Sequence, residues 1–188
     1  FVSDVNTWTK RYYNRENKYR QFINQSFAKA GGALAGGLDY VSANNKKFAD
    51  ATQGMTAMQQ YQYLIEHASE LVDARVLLSD YLRDKHNLNG KQFVADAIDK
   101  LNRRNKGLAK VEEKLNEYWD GLERALNQGG ITLEDVANSP ALQQALEAGE
   151  RERLSGLGLT ETQIKEQLIK FRIRFGPKNE EEGLPPEE

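Results

Sequence analysis

"VADAIDKLNRRNKGLAKVEEKLNEYWDGLERAL", residues 94–126, is the stretch on which the fold turns. Val94, Leu101, Leu108, Leu115 and Leu122 recur every seven residues without a miss. Ala97, Ile98, Val111, Tyr118, Trp119, Ala125 and Leu126 widen the stripe. A seven-residue apolar repeat keeps one seam on one face of a helix, so the spacing predicts a single helix from Lys91 to Asn127, about 55 Å long at 1.5 Å per residue. Gly129 and Gly130 supply its stop. Arg104 and Asn105 are its polar interruption.

Upstream, residues 56–86 predict a second long helix. Thr56 and Gln59 stand at capping-box spacing, and Tyr61, Leu64, Ile65, Ala68, Leu71, Val72, Leu78 and Leu82 form one broad apolar face. "NLNG" at 87–90 breaks the pattern. A four-residue break between two amphipathic helices predicts an antiparallel hairpin over 56–128; self-association through the same seam is the rival. With the turn centred between Leu88 and Asn89, Asp73 stands opposite Arg104 and Arg75 near Asn102. A polar layer of this kind can fix register, and Asp73 with Arg104 is the candidate register pair.

Before the hairpin lies a basic, aromatic segment. In residues 1–30, Trp8, Tyr12, Tyr19, Phe22, Ile23 and Phe27 share a face if the segment is helical, with Lys10, Arg11, Arg15, Lys18 and Arg20 around them. Such a helix buries its rings against the protein, contacts phosphates while stacking on bases, or lies at a membrane surface. Burial is the commonest case. The candidate partner or nucleic-acid contacts are therefore Trp8, Arg11, Tyr12, Arg15, Lys18, Tyr19 and Arg20. "FAKAGGALAGGLDY", residues 27–40, follows. Its nine uncharged residues between Lys29 and Asp39 fall far short of the roughly 20 that a membrane span needs. Gly32 and Gly36, one turn apart, have the spacing that lets helix backbones approach closely. Residues 31–55 read as a glycine-rich joint with a short helix.

Beyond residue 128 the style changes. Residues 129–176 predict short helices with their own caps, at Thr132, at Ser139 before Pro140, and at Thr160 with Gln163. Short helices do not stand alone, so they must pack on the hairpin or on one another. In residues 169–175, alternation of Ile169, Phe171, Ile173 and Phe175 suits a strand, while Ile164, Leu168, Phe171 and Phe175 suit a helix; helix is preferred because a lone strand has nothing to pair with. Residues 177–188, acidic and proline-bearing, predict a flexible tail.

No chemistry converges. His67 and His86 stand nineteen residues apart without metal-ligand spacing. Gly156 and Gly158 precede a helix but lack the lysine and the strand of a phosphate loop. With no cysteine there is neither a disulfide nor a thiolate site. The expectation is no catalytic residue, no cofactor and no metal. The net charge of −2 and pI near 5.9 argue against a protein that coats nucleic acid over its whole surface. It nevertheless conceals a +4 segment at residues 1–30 and a −4 segment at 177–188. The chain begins at Phe1, which fits a processed product or a piece of a longer protein.

These features predict an all-α protein: a long helical hairpin, an N-terminal basic helix, short C-terminal helices and an acidic tail. The expected function is that of a non-enzymatic structural or assembly component, as in a virion or secretion particle, in a homo-oligomer or larger assembly. A nucleic-acid-binding module using the N-terminal arm is the second expectation, and a membrane-active or translocated protein inserting residues 27–40 is the third. The absence of cysteine and of a spanning segment fits an intracellular or particle-associated chain.

Overall fold

The computed structural model describes residues 2–178, and in these the chain is all-α. Its helices are α1 (Val2–Ala30), α2 (Gly32–Asn44), α3 (Lys46–Ala51), α4 (Ala57–Glu66), α5 (Val72–His86), α6 (Gly90–Gln128), α7 (Leu133–Ala137), α8 (Pro140–Ser155) and α9 (Glu161–Phe175). The ambiguous run at 169–175 lies inside α9. Apart from Pro177 and Lys178, the expected acidic tail lies outside the described residues.

Contacts divide the chain into two compact units, one of Phe1–Arg11 with Ala109–Glu188 and the other of Tyr12–Leu108. Both boundaries fall within helices, α1 and α6. They do not follow the composition changes at residues 30 and 128, because a single long helix can serve two cores. The N-terminal segment is therefore not a free arm: Tyr19 and Ile23 belong to the core of the second unit.

The expected helix over 56–86 is two helices. Residues 67–71 interrupt it, with His67 ending α4 and Leu71 preceding α5. The bend lets Leu64 and Ile65 of α4, Leu71 of the break, and Ala74 and Leu78 of α5 all face one core. Val72, assigned by periodicity to the buried face, is instead 47% exposed. The turn that follows is well specified. Asn87 takes the left-handed conformation (φ 52°), and the amides of Asn87 and Leu88 close the last turn of α5 on Arg83 and Leu82. Asn89 Oδ1 accepts from the Gln92 amide at 3.1 Å and so caps α6. Gly90 is required by proximity, since a Cβ there would lie 2.5 Å from the Ser79 carbonyl oxygen. The α5–α6 pair is antiparallel, but it joins only the first part of α6 to a fifteen-residue helix.

A second helix also lies along α6 in this unit. Tyr12 of α1 packs its backbone beside Gly107, Arg15 reaches the Arg103 carbonyl, and Phe22 meets Phe93 with ring centroids 6.2 Å apart. These pairs run in opposite chain directions, so α1 too is antiparallel to α6. The glycine-rich segment is not a joint beyond Gly31 (φ 51°) but a helix laid on α5. The close approach is made by Gly36 and Gly37. A Cβ on Gly36 would come 2.7 Å from the Tyr81 hydroxyl, and one on Gly37 would come 2.7 Å from Leu78 Cδ1. Gly32, in contrast, has open space around it. Leu34, Leu38 and Val41 are fully buried by this packing, each contributing on the order of 1.5–3 kcal/mol.

In the first unit, Thr160 and Gln163 form a capping box on α9, Thr132 and Asp135 form another on α7, and Ser139 caps α8 ahead of Pro140. The rings of Trp119 and Phe171 meet edge-on at 5.9 Å, and Leu154, Ile164 and Leu168 form a cluster beside Leu157 and Leu159. A buried polar network joins three helices here. Trp119 Nε1 donates to Glu150 Oε2 at 3.0 Å, Arg153 Nε donates to Glu150 Oε1 at 2.6 Å, and Arg153 Nη1 donates to Asn6 Oδ1 at 2.8 Å.

Two stability outcomes follow from these geometries. Gly37→Ala is expected to destabilise by about 1–3 kcal/mol through overpacking against Leu78. Gly32→Ala, in open space, should be neutral or stabilising by up to about 1 kcal/mol; urea unfolding distinguishes the two, and equal effects would displace the α2–α5 contact. Glu150→Ala should cost about 3–5 kcal/mol, because it strands the Arg153 guanidinium in a site where its side chain is only 6% exposed.

Candidate functional site

Two surface grooves in the second unit are built from residues that carry binding chemistry. The larger, about 610 Å³, runs between α5 and the start of α6. Leu88, Val94, Ala95 and Ile98 give it apolar walls, and Val76, itself 52% exposed, stands at its edge. Val72, one turn earlier on α5, continues the apolar strip into solvent. Arg75 and Asn102 line the same groove. The half-buried Arg75 has no carboxylate partner among the described residues, and its Nε finds no hydrogen-bond acceptor. An orphaned buried donor costs about 1–3 kcal/mol, which a ligand acceptor would recover.

The smaller groove, about 350 Å³, lies between α1 and α6. Arg15 and Lys18 line one wall, and Lys100, Arg103 and Lys106 line the other, with Asp99 the one acidic group among them. Several of the cations are held in place. Arg15 Nη1 donates to the Arg103 carbonyl at 3.3 Å, Arg103 pairs with Asp99 at 3.2 Å, and Lys100 Nζ lies 4.5 Å from the centre of the Phe22 ring. The charge division is consistent with this location: the second unit carries fourteen basic and ten acidic residues, and the first carries twelve and eighteen.

The residues singled out from the sequence are dispersed. Of the N-terminal set, Arg15 and Lys18 line the smaller of these two grooves. Tyr12 and Tyr19 are buried, 8% and 4% exposed, so their rings are core and not stacking platforms. Arg20 pairs with the buried carboxylate of Glu16. In the first unit, Trp8 is half-buried between two cations, with the Arg11 guanidinium 4.9 Å and Lys110 Nζ 5.7 Å from its ring centre. Along the seam, Val94, Leu101 and Leu115 are buried, whereas Leu108 and Leu122 are half-buried. Asp73 is exposed, and Arg104 donates to Asn105 at 3.3 Å; among the described residues no ion pair joins Asp73 to Arg104. The segment expected to insert in membranes places Ala33, Leu34, Gly37 and Leu38 in the core. No described helix is long and apolar enough to cross a membrane.

The α6 half of the basic groove was overlooked in the sequence, although "KLNRRNK" (100–106) places four cations in seven residues. Lys100, Arg103 and Lys106 lie off the heptad seam, whose spacing therefore carries no sign of them. Among the described residues there is no cluster of three or more His, Asp or Glu side chains that could hold a metal ion. His67 stacks on Tyr63 at 4.0 Å, one turn earlier on α4. No protein-family model, curated protein or solved structure matches the chain.

Tyr19 connects the core to this surface electrostatically. Burial, with the nearby Glu66 carboxylate, pushes its phenol from the ordinary 10 up to about 12, while the Arg104 charge pulls the other way. The folded chain thus keeps a proton that the unfolded chain releases between pH 10 and about 12. This stabilising contribution is complete below pH 10 and is lost as pH rises through that window. Tyr19→Phe should flatten that part of the stability profile, measured by urea unfolding at increasing alkaline pH; an unchanged slope would remove Tyr19 from the account.

Proposed function

We propose that the protein is a non-enzymatic helical assembly component that associates with a second copy of itself through the exposed strip of α5. The observation that carries this reading is the partly exposed face on which Val72, Val76 and the unpaired Arg75 stand beside an apolar groove. Apolar residues at i and i+4 next to a groove are the usual elements of helix docking. The partner is argued from self-complementarity. In an antiparallel pair of α5 helices centred between Leu77 and Leu78, Arg75 of each copy meets Asp80 of the other, which satisfies the two-fold reciprocity of most homodimers. Asp80 is available for exchange, because its pairing with Arg83 is long (3.4 Å) and solvent-exposed.

Sedimentation against concentration tests the association, and charge reversal tests the geometry. Arg75→Asp and Asp80→Arg are each expected to weaken the dimer at least about tenfold, the effect of 1.4 kcal/mol, and the double swap should restore it. Val76→Glu should leave a folded monomer. A wild-type chain that stays monomeric at every concentration, or a double swap no better than either single change, would overturn the reading.

A further inference from the structure

We infer that the α1–α6 groove of the second unit binds the phosphate backbone of single-stranded nucleic acid. Five cations from two antiparallel helices face one concave surface, with a single carboxylate among them that Arg103 already neutralises. Their spacing is linear. Arg15 and Lys18 are three residues apart, as are Lys100, Arg103 and Lys106, which gives a charge about every 4.5 Å along each helix. Two facing rows of this kind match a chain of anionic groups better than one isolated anion.

The width of the groove favours one strand over two. The α1 and α6 helices touch where Tyr12 meets Gly107, so the cations line a shallow surface groove of about 350 Å³, room for a short length of one sugar–phosphate backbone but not for a duplex. Recognition would be independent of sequence, since Tyr12 and Tyr19 are buried and Lys100 lies over the half-buried Phe22 ring. Lys18 and Lys106 are exposed and have no carboxylate partner among the described residues. Arg15 and Arg103 are oriented by the hydrogen bond and ion pair that hold them. The groove does not depend on α5 self-association, because the Val72–Val76 strip is no part of it.

Fluorescence anisotropy with labelled oligothymidylate, a mixed-sequence RNA strand and a duplex tests the inference between 50 and 200 mM salt. Binding to both single strands is expected, with log K falling against log salt at about −0.7 per contacted phosphate, or roughly −3.5 for five cations. Lys18→Ala with Lys106→Ala should make that slope shallower by about 1.4. Lys18→Glu with Lys106→Glu should weaken binding at least tenfold at 50 mM salt with helix content unchanged by circular dichroism, while Lys85→Glu, an exposed charge outside the groove, should change it less than twofold. Absence of salt-dependent binding, an unchanged slope in the paired alanine variant, or an equal loss from Lys85→Glu would overturn the inference. So would tighter binding to duplex, or binding only to phosphatidylserine vesicles.

Discussion

The close packing of α2 on α5 is the constraint on which the second unit depends. Two glycines in succession, Gly36 and Gly37, remove the side chains that would hold the helices apart, and Leu78 and Tyr81 occupy the space. Four glycines between residues 31 and 37 make this segment a poor helix in isolation, by about 1 kcal/mol each relative to alanine. Tertiary burial offsets that cost: Leu34 and Leu38 are fully enclosed on one side, and Leu78 and Leu82 on the other. Once α2 covers the inner face of α5, the outer face remains for solvent or a partner, and Val72 and Val76 are left there.

Helix α6 shows how one helix divides its duties by face. Its buried stripe, Val94, Ala97 and Leu101, closes the core of the second unit. Lys100, Arg103 and Lys106 flank the α1 side, while Ala95 and Asn102 flank the α5 side. Asp99 lines both grooves and so stands on the ridge between them. The two proposed interactions are consequently close in space but different in physics, one resting on apolar area and a single half-buried cation, the other on counterion release.

The first unit is held differently. Its core joins aromatic packing of Trp119, Phe171 and Phe175 to a buried ion pair between Glu150 and Arg153. A buried pair contributes little net stability unless its remaining donors and acceptors are met; here the indole of Trp119 and the amide of Asn6 supply two partners, while Arg153 Nη2 finds no hydrogen-bond acceptor among the described residues. At the surface, Arg174 with Asp120 at 2.6 Å and Arg172 with Glu147 tie α9 to α6 and α8. Exposed pairs of this kind are individually weak.

Local chemistry was legible in the sequence wherever a signal acts within a few residues. The caps at Thr56, Thr132, Ser139 and Thr160, the turn at 87–90 and the all-α class follow from hydrogen-bonding groups and periodicities that any chain with these residues would present. The long α6 helix was equally legible, since its heptad stripe needs no knowledge of the partner. Which helices cover that stripe was not, because α1, with Tyr12, Tyr19 and Phe22, offers an apolar face much like that of residues 56–86. Periodicity shows that a face must be buried, not by what. The break at 67–71 was hidden for the same reason: Ala68, Leu71 and Val72 continue the apolar pattern, and only the need of two helices to face one core bends the chain there. The basic groove likewise depends on tertiary structure, which brings Arg15 and Lys18 beside cations more than eighty residues away in sequence, a distance over which composition carries no geometric information.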